Sequence, residues 1–330
     1  MSNDRPDPRP SSPSDAPPSW VPTLPLPRPS QRQLPLDGRG GEDGTLGDAA
    51  GELLESAYYT KRWGRLAMRE RHEDVDEFGM APVYEERYRP LLDFLYDRYF
   101  RVRVEGVEHV PSEGRAVIVS NHSGTVPFDG LMLKTAIAKE QAAARELRWL
   151  TEDFVTYLPF VGSFLNRLGA VRACQENAER LLGREKLVAV FPEGVKGMSK
   201  LFRDRYKLQR FGRGGFVRLC LRTRTPMVPT AIIGAEETNP ILFRFETLAK
   251  TFGLPYIPVT PTFPLLGPAG LLPAPTKWTI RFGEPIDMSG YPPDAADDQV
   301  LVGKLAERVR TTIQDMLDAG ISKRESVWFG

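Results

Sequence analysis

Residues 116–131 read AVIVSNHSGTVPFDGL, and this stretch decides much of the interpretation. The apolar run from Ala116 to Val119 predicts a β-strand, and the spacing of apolar residues from Leu131 onward predicts an amphipathic helix. His122 therefore lies where a strand ends, and Asp129 lies at the predicted start of the helix. An imidazole with a carboxylate partner suits a general base and the group that orients it. Asp129 also suits the N-cap of the helix, and the two roles are compatible.

Strand and helix patterns alternate from Arg101 onward, which is typical of an α/β fold. We predict a mostly parallel sheet flanked by helices. The predicted strands are 101–104, 116–119, 147–150, 169–172, 187–191, 227–233 and 278–282, and the predicted helices are 131–145, 153–166, 175–185, 212–224 and 295–318.

Three polar residues come at or just after predicted strand ends, namely His122, Arg172 and Glu193. In sheets of this kind, ligands gather at the carboxyl ends of the strands. Each residue also has a purely structural alternative. His122 would bond a backbone carbonyl, Arg172 would pair with Glu176 on the surface, and Glu193 would belong to a Pro-Glu-Gly turn.

The N-terminal part of the chain differs in composition from the rest. Residues 1–48 are predicted to be a disordered Pro-rich tail, because eleven prolines fall within the first 35 residues. Residues 49–100 are predicted to be a helical segment, with helical patterns at 52–71 and 84–100. The aromatic and leucine stripe in 84–100 favours a buried helix, and a helix at a membrane interface is the alternative. Residues 101–330 form the predicted α/β domain.

Composition excludes several classes of protein. The chain of 330 residues has a net charge of +1, so no overall field favours nucleic acid. Its two cysteines, Cys174 and Cys220, fit a reducing compartment better than a disulfide framework. No cluster of potential ligands suggests a metal ion. No signal peptide and no apolar run of about 18 residues is present, so no spanning helix is predicted.

A second block of residues, Phe191-Pro192-Glu193-Gly194, supports a more specific interpretation of the stretch around His122. Together with Asn121-His122 and Asp129, it resembles the glycerolipid acyltransferase family, of the lysophosphatidate acyltransferase type. Two weaker blocks occur in the family's order, Gly169 to Arg172 and Val228 to Ile232. The resemblance covers roughly residues 85–290. It implies that the α/β domain is an acyltransferase domain.

The resemblance implies transfer of a fatty acyl group from acyl-coenzyme A or acyl carrier protein to a lysophosphatidate-like acceptor, by direct attack without an acyl-enzyme. No cofactor is implied beyond the thioester co-substrate. The expected catalytic residues are His122 as base and Asp129 as its orienting partner. The expected substrate-binding residues are Asn121, Gly124, Arg172, Phe191, Pro192, Glu193, Gly194 and Lys196. We expect a cytoplasmic protein that attaches peripherally to the inner face of the membrane.

Two departures from the family pattern keep other functions open. Six residues separate His122 from Asp129, where the commonest form of the motif has four, and Lys196 stands where arginine is usual. Lysine lacks the bidentate fork of arginine, so a neutral alcohol such as diacylglycerol is the alternative acceptor. A non-catalytic lipid-binding or scaffold protein is the second alternative. An α/β hydrolase is disfavoured, because no Gly-x-Ser-x-Gly elbow occurs.

Two further segments have open interpretations. The stretch 203–224 carries eight Arg or Lys residues and one acid, Asp204. It is either a solvated face or a patch for acyl carrier protein, coenzyme A phosphates or anionic lipid. The 26 residues from Thr251 to Thr276 carry no charge and seven prolines. They would line an acyl channel, insert shallowly in a bilayer, or form a long loop over the core.

Overall fold

The computed structural model describes residues 75–330, apart from 124, 125, 127, 159, 213, 252 and 330 and the side chain of 293. All of them belong to one compact unit that spans Met68–Gly330. The predicted tail and the first half of the predicted helical segment lie outside the described residues. The second half is helical, since α1 (Pro82–Phe94) continues as a π-helical turn (Leu95–Tyr99).

Strands and helices follow one another along the chain as the sequence predicts. The strands are β1 (Arg103–Glu105), β2 (Ala116–Ser120), β3 (Leu147–Thr151), β4 (Ala170–Arg172), β5 (Leu187–Val190), β6 (Met227–Ile233), β7 (Phe243–Phe245), β8 (Ile257–Val259) and β9 (Thr279–Phe282). The helices after α1 are α2 (Phe128–Glu140), α3 (Asp153–Tyr157), α4 (Val161–Arg167), α5 (Gln175–Gly183), α6 (Val195–Met198), α7 (Gly215–Thr223), α8 (Thr247–Thr251) and α9 (Gln299–Ser322). Short 3₁₀ turns connect several of them, including Ala235–Glu237 and Gly267–Leu271.

The main sheet has seven strands in the order β1-β9-β6-β2-β5-β3-β4. Strands β6, β2, β5, β3 and β4 are parallel to one another. Strand β9 pairs antiparallel with β6 and parallel with β1, so these two strands run in the opposite direction. The predicted mostly parallel α/β sheet is confirmed, with a reversed pair at one edge.

Helices cover both faces of the sheet, which explains why the central strands β2, β5 and β6 are buried at every position. Side chains of β2 alternate between two hydrophobic clusters, because successive residues of a strand point to opposite faces. Val117 and Val119 join the cluster that includes α5, α7 and α9. Ala116 and Ile118 join the cluster that includes Tyr96 and residues of α2 and α4. The predicted burial of the stripe in 84–100 holds for Leu92 and Tyr96.

Two features differ from the sequence prediction. The helix predicted over 153–166 is two helices, α3 and α4. Leu158 between them is extended, with φ −65° and ψ 125°, because the residue before a proline avoids the helical region. The uncharged stretch also contains a strand that the prediction missed. Strands β7 and β8 form a separate two-stranded antiparallel sheet.

Candidate active site

The carboxyl ends of the parallel strands bring the predicted residues together. His122 follows β2, and Glu193 follows the adjacent strand β5. The backbone N–H of His122 donates a hydrogen bond of 3.0 Å to Oε1 of Glu193. The two blocks that the sequence singled out, 71 positions apart, are therefore in direct contact.

His122 and Asp129 form a buried pair. Nδ1 of His122 lies 2.6 Å from Oδ2 of Asp129, and the side chain of Asp129 is 1% exposed. The same oxygen accepts from the backbone N–H of Ser123, at 3.1 Å. The carboxylate of Asp129 thus contacts the imidazole of His122, although six residues separate the two in the sequence. Helix α2 begins at Phe128, so the expectation that Asp129 is the N-cap is wrong.

The charges around His122 determine its protonation. Burial by itself lowers the pKa of the imidazole, because it disfavours the charged form. The nearby carboxylates of Asp129, Glu193 and Glu152 outweigh burial and raise the pKa above its ordinary value. Asp129 makes the largest of these three contributions, through both its charge and its hydrogen bond. The ring is thus a stronger base than a free imidazole.

Packing fixes the orientation of the imidazole. The ring of Phe191 stacks on it, with centroids 4.6 Å apart and an interplanar angle of 23°. Gly197 in α6 packs on the other side of the motif, where an added Cβ would lie 3.0 Å from Cβ of His122 and 2.7 Å from Cβ of Glu193. Gly194 has φ +55°, and a Cβ there would meet the carboxylate of Glu152 at 2.8 Å. Only glycine fits these contacts without displacing a neighbour.

Glu193 is occupied by the protein itself. Its side chain is buried, Oε1 accepts from the N–H of His122, and Oε2 accepts from the N–H of Gln209 at 2.7 Å. Nζ of Lys200 lies 3.2 Å from Oε2 and 2.9 Å from a carboxylate oxygen of Glu236. Glu193 thus links the backbone of His122, through a hydrogen bond, to the side chain of Lys200, through an ion pair. The prediction that it also contacts the acceptor remains a prediction.

Asn121 is also engaged by the backbone. Its Nδ2 donates to the carbonyl of Ile232, and its Oδ1 accepts from the N–H of the same residue, at 3.0 and 2.7 Å. The side-chain amide thus extends the pairing of β2 with β6 beyond the last backbone bond. Asn121 is fully buried, so these contacts indicate that it fixes the position of His122.

The three remaining candidates lie further from the pair or outside the described residues. Arg172 is exposed and makes a two-pronged ion pair with Asp153, at 2.7 and 2.9 Å, instead of the alternative partner Glu176. Lys196 is an exposed residue of α6. Gly124 lies outside the described residues. Roles for these three in binding stay predictions.

A cleft of about 190 Å³ opens beside His122. Phe191 and Pro192 line it together with Gly212, Gly214 and Phe216, and the predicted role of Phe191 and Pro192 in substrate binding stays a prediction. Glu152 also lines it, and the sequence reading missed this residue. Glu152 could have been predicted from its position, because it directly follows the strand β3, as His122 follows β2. The buried Lys200 gave no such signal, since no pattern marks which lysine of a basic stretch turns inward.

Two larger cavities lie near this cleft. One, of about 390 Å³, shares Gly212 and Gly214 with it and is lined by Arg210 and Arg218. The other, of about 750 Å³, is mainly apolar and is lined by Phe128, Leu131 and Phe164, among others. Phe128 and Leu131 flank Asp129 on α2. Within the described residues, no group of His, Cys, Asp or Glu is arranged to hold a metal ion.

Comparison with known proteins agrees with this geometry. The family model "Acyltransferase" matches residues 101–233, which include His122, Asp129 and Glu193. An uncharacterized protein of Mycobacterium tuberculosis is 50% identical over 257 residues, which is 78% of this chain and 72% of the relative. The human 1-acyl-sn-glycerol-3-phosphate acyltransferase alpha is 31% identical over 151 residues, 44% of this chain and 50% of the relative.

A solved structure also matches. The 1-acyl-sn-glycerophosphate acyltransferase of Thermotoga maritima aligns with a TM-score of 0.48 and 16% identity, over 82% of this chain and 94% of its own. No helix of the described residues has both the length and the apolar character needed to cross a membrane. From its family match and its relatives, the chain belongs to the glycerolipid acyltransferase family and is an O-acyltransferase.

Proposed function

We propose that this enzyme transfers a fatty acyl group from an acyl thioester, acyl-coenzyme A or acyl carrier protein, to a lysophosphatidate-like acceptor in phospholipid biosynthesis. The observation that carries the proposal is the 2.6 Å contact between His122 and Asp129 at the wall of a cleft. Because Nδ1 is held by the carboxylate, Nε2 is the nitrogen that receives the proton. The human relative's name supports the choice of acceptor.

The proposed reaction needs no covalent enzyme intermediate. Nε2 of His122 takes the proton of the acceptor hydroxyl while its oxygen attacks the thioester carbonyl. The carbon–sulfur bond breaks, and the leaving thiolate takes the proton back from the imidazolium. Asp129 stabilises the imidazolium during this cycle and keeps the ring in one tautomer. Phe191 and Pro192 line the cleft, and Glu193 holds the backbone of His122. Gly194 is proposed to leave room for the carboxylate of Glu152, which an added Cβ would meet at 2.8 Å.

The neighbouring cavities suit the two ends of the donor. The apolar groove beside Phe128 and Leu131 has the size and lining for a fatty acyl chain. The cavity with Arg210 and Arg218 has two guanidinium groups for the phosphates of coenzyme A or the acidic surface of acyl carrier protein, and its one acid, Glu307, is paired with Arg310. Arg172 and Lys196 are proposed to add positive charge for the acceptor. Because the acceptor is a lipid, we place the enzyme at the inner face of the membrane.

A second acceptor class is favoured by one observation. The carboxylate of Glu152 lines the cleft and acts on His122, so it opposes an anionic phosphate at the same place. A neutral alcohol such as diacylglycerol would meet no such repulsion. The two acceptor classes therefore differ in how they respond to the charge of Glu152.

Acyl transfer by the purified full chain tests both acceptors in one assay. Each donor is offered with lysophosphatidate and with diacylglycerol. We expect His122→Ala to lose about 10²-fold or more of the rate, as expected when a general base is removed. His109→Ala is the matched control, because that histidine bonds the carbonyl of Phe282 instead of an acid. A folded His122→Ala enzyme with the wild-type rate would contradict the proposal.

Glu152→Gln decides between the acceptors in the same assay. The substitution removes the charge and keeps the shape of the side chain. With lysophosphatidate as the true acceptor, KM for it falls, because the repulsion is gone. Turnover of diacylglycerol but not of lysophosphatidate by the wild-type enzyme would establish the second candidate.

A further inference from the structure

The small sheet of β7 and β8 exposes an apolar surface. Phe243 is paired with Val259 and Phe245 with Ile257, and residues directly opposite each other in a sheet share a face. The rings of Phe243 and Phe245 touch, with centroids 5.0 Å apart, yet their side chains remain 54% and 47% exposed. This outer face thus consists of two aromatic and two β-branched residues.

The inner face of the same sheet carries the polar residue. Arg244 lies between the two phenylalanines, and its guanidinium donates to the carbonyl of Ser199 at 2.7 Å. A two-stranded sheet on a protein surface normally turns its apolar side inward and its polar side to water. In the sheet of β7 and β8 the apolar side faces outward, and the polar residue Arg244 lies on the inner side. Clustered exposed apolar residues of this kind mark a surface that a partner covers.

Leucines beside the sheet enlarge this surface. Leu242 and Leu248 flank β7 and are 57% and 53% exposed. The loop after β8 exposes Leu265, Leu266 and Leu272, at 85%, 62% and 72%.

Both ends of this loop are fixed beside the start of β7. The N–H of Leu242 bonds the carbonyl of Val259, and Nδ2 of Asn239 bonds the carbonyls of Leu271 and Leu272. We call the set Leu242, Phe243, Phe245, Leu248, Leu265, Leu266 and Leu272 the apolar face.

The charges around the apolar face identify its partner. The acid within the apolar face, Glu246, is paired with Arg244 at 2.8 Å. No Asp or Glu occurs from Thr247 to Gly283, while Lys250 and Lys277 do. Arg101 donates to the carbonyl of Pro275, close to the end of the loop. Burial and the positive charges of Arg101 and Arg103 lower the pKa of Lys277, which indicates a positive local field. Exposed leucine and phenylalanine bordered by cations match the interface of a bilayer with anionic headgroups.

The sheet that carries the apolar face also contacts the end of α6. The hydroxyl of Tyr256, just before β8, donates to the carbonyl of Met198 at 3.1 Å. Arg244 holds Ser199, the next residue, and both lie at the end of α6, which begins directly after Gly194. A membrane seated on this sheet is therefore next to the segment that braces His122.

We propose that the apolar face is the surface by which this enzyme docks on a lipid bilayer containing anionic lipid. The choice of lipid as the partner rests on the proposed function, and the surface itself rests on the contacts and charges above. Docking there brings the bilayer next to the end of α6, which begins directly after the Phe191–Gly194 block.

Vesicle binding tests the surface without any turnover. The full chain is sedimented with vesicles of phosphatidylcholine alone and of phosphatidylcholine mixed with phosphatidylglycerol. We expect tighter binding to the mixed vesicles and weaker binding as salt rises. The double substitution Phe243→Ser with Phe245→Ser should reduce the partition coefficient at least about tenfold, since two partly inserted rings are lost.

A matched double substitution controls for general surface change. Val75→Ser with Val300→Ser also removes two exposed apolar side chains, 54% and 67% exposed, far from this sheet in sequence. Vesicle binding of that variant should equal wild type. Equal binding by wild type and the double phenylalanine variant would overturn the proposal. The proposal would also be overturned if the wild-type enzyme were a dimer and the phenylalanine variant were a monomer that still bound vesicles. The partner of the apolar face would then be a second copy of the chain.

Activity separates failure of this inference from failure of the proposed function. On a short-chain acceptor dissolved below its aggregation point, the phenylalanine variant should match the wild-type rate. On acceptor embedded in mixed vesicles, its rate should fall in parallel with binding. Absence of transfer by wild type on any acceptor would refute the function, yet the vesicle result would still decide the surface. Equal rates of both proteins on embedded acceptor would count against docking.

Discussion

Three contacts position His122 beside the cleft. Asp129 holds Nδ1, Phe191 covers the ring, and Glu193 accepts the backbone N–H. The effect of removing one of these contacts on acyl transfer has a predictable direction, because each contact acts either on the charge or on the orientation of the ring.

The pH dependence of acyl transfer reports the Asp129 contact. A base must be neutral, so kcat/KM rises with pH through the pKa of His122, which lies above the ordinary imidazole value. Asp129→Asn removes the attraction that raises this pKa and leaves the burial that lowers it. We expect the midpoint of the profile to move to lower pH while the maximal rate falls about 10²–10⁴-fold.

The direction of that shift is what distinguishes the two roles of Asp129. If Asp129 merely held the loop, the rate would fall and the midpoint would stay. Asp153→Asn is the control, because its carboxylate pairs with the exposed Arg172 and does not touch the imidazole. Its pH profile should match wild type.

Lys200 supports His122 from a distance, through Glu193. Its side chain is buried, and although burial lowers its pKa, the carboxylates of Glu236 and Glu193 raise it more and keep the ammonium charged. Lys200→Met leaves both carboxylates without their cation. We expect a loss of about 3–5 kcal/mol in the free energy of unfolding, measured with urea, because breaking a buried ion pair strands a charge.

A double substitution separates charge from packing at Lys200. Adding Glu236→Gln to Lys200→Met removes one stranded carboxylate, so it should recover part of the lost stability. Lys200→Arg keeps the charge and should cost less than Lys200→Met. Equal loss in all three variants would mean that shape, and not charge, determines the effect.

At the scale of elements, α6 must lie very close to the strand ends. Gly197 allows this approach, since its missing Cβ would press on His122 and Glu193. Gly197→Ala should therefore destabilise the protein by about 1–3 kcal/mol, as overpacking does. It should also lower the rate of acyl transfer, because the ring is displaced. Both quantities are measured on the same preparation, by urea unfolding and by the transfer assay.

Gly303 in α9 provides the control for that substitution. An added Cβ there meets nothing within 4 Å, so Gly303→Ala should stabilise the helix by about 0.5–1 kcal/mol. Gly303 also lines the cavity with Arg210 and Arg218, so it is a control for the unfolding measurement only. A neutral or stabilising Gly197→Ala would show that α6 moves aside easily.

The elements that the sequence predicted well are those with a strong local pattern. All seven predicted strands occur in the main sheet. Those at its centre were predicted from apolar runs that end at polar or turn residues, and the first, 101–104, from alternation of Arg and Val. The sheet of β7 and β8 was missed, since each strand has only three residues and its apolar side faces outward. The break between α3 and α4 is set by one proline position, which the helical periodicity around it conceals.

The site was predictable where chemistry follows a strand end. His122 and Asp129 form the expected contact, and Glu193 reaches the expected place. The sequence does not reveal which groups form hydrogen bonds or ion pairs with each carboxylate. That depends on Lys200 and Gln209, which come close to Glu193 only when the segment after α6 folds back over it.

At the scale of the whole molecule, the seven-stranded sheet consists of two parts with different directions. Five parallel strands carry the site at their carboxyl ends. The reversed pair β1 and β9 completes the sheet beyond β6 and contributes Ile280 and Phe282 to the core. The site and the edge pair therefore belong to one sheet but to opposite parts of it.

The pairing of β1 has a consequence for how the chain reaches its folded state. In the main sheet β1 bonds only to β9, with Val104 opposite Ile280, so the first strand of the described residues waits for the last strand of that sheet. The inner strands gain their neighbours earlier, during synthesis. Until residue 282 emerges, β6 keeps an open edge that other chains can pair with. Nascent chains of this enzyme are thus exposed to aggregation until β9 has emerged and paired with β6, and a chaperone that acts before that point would improve the yield.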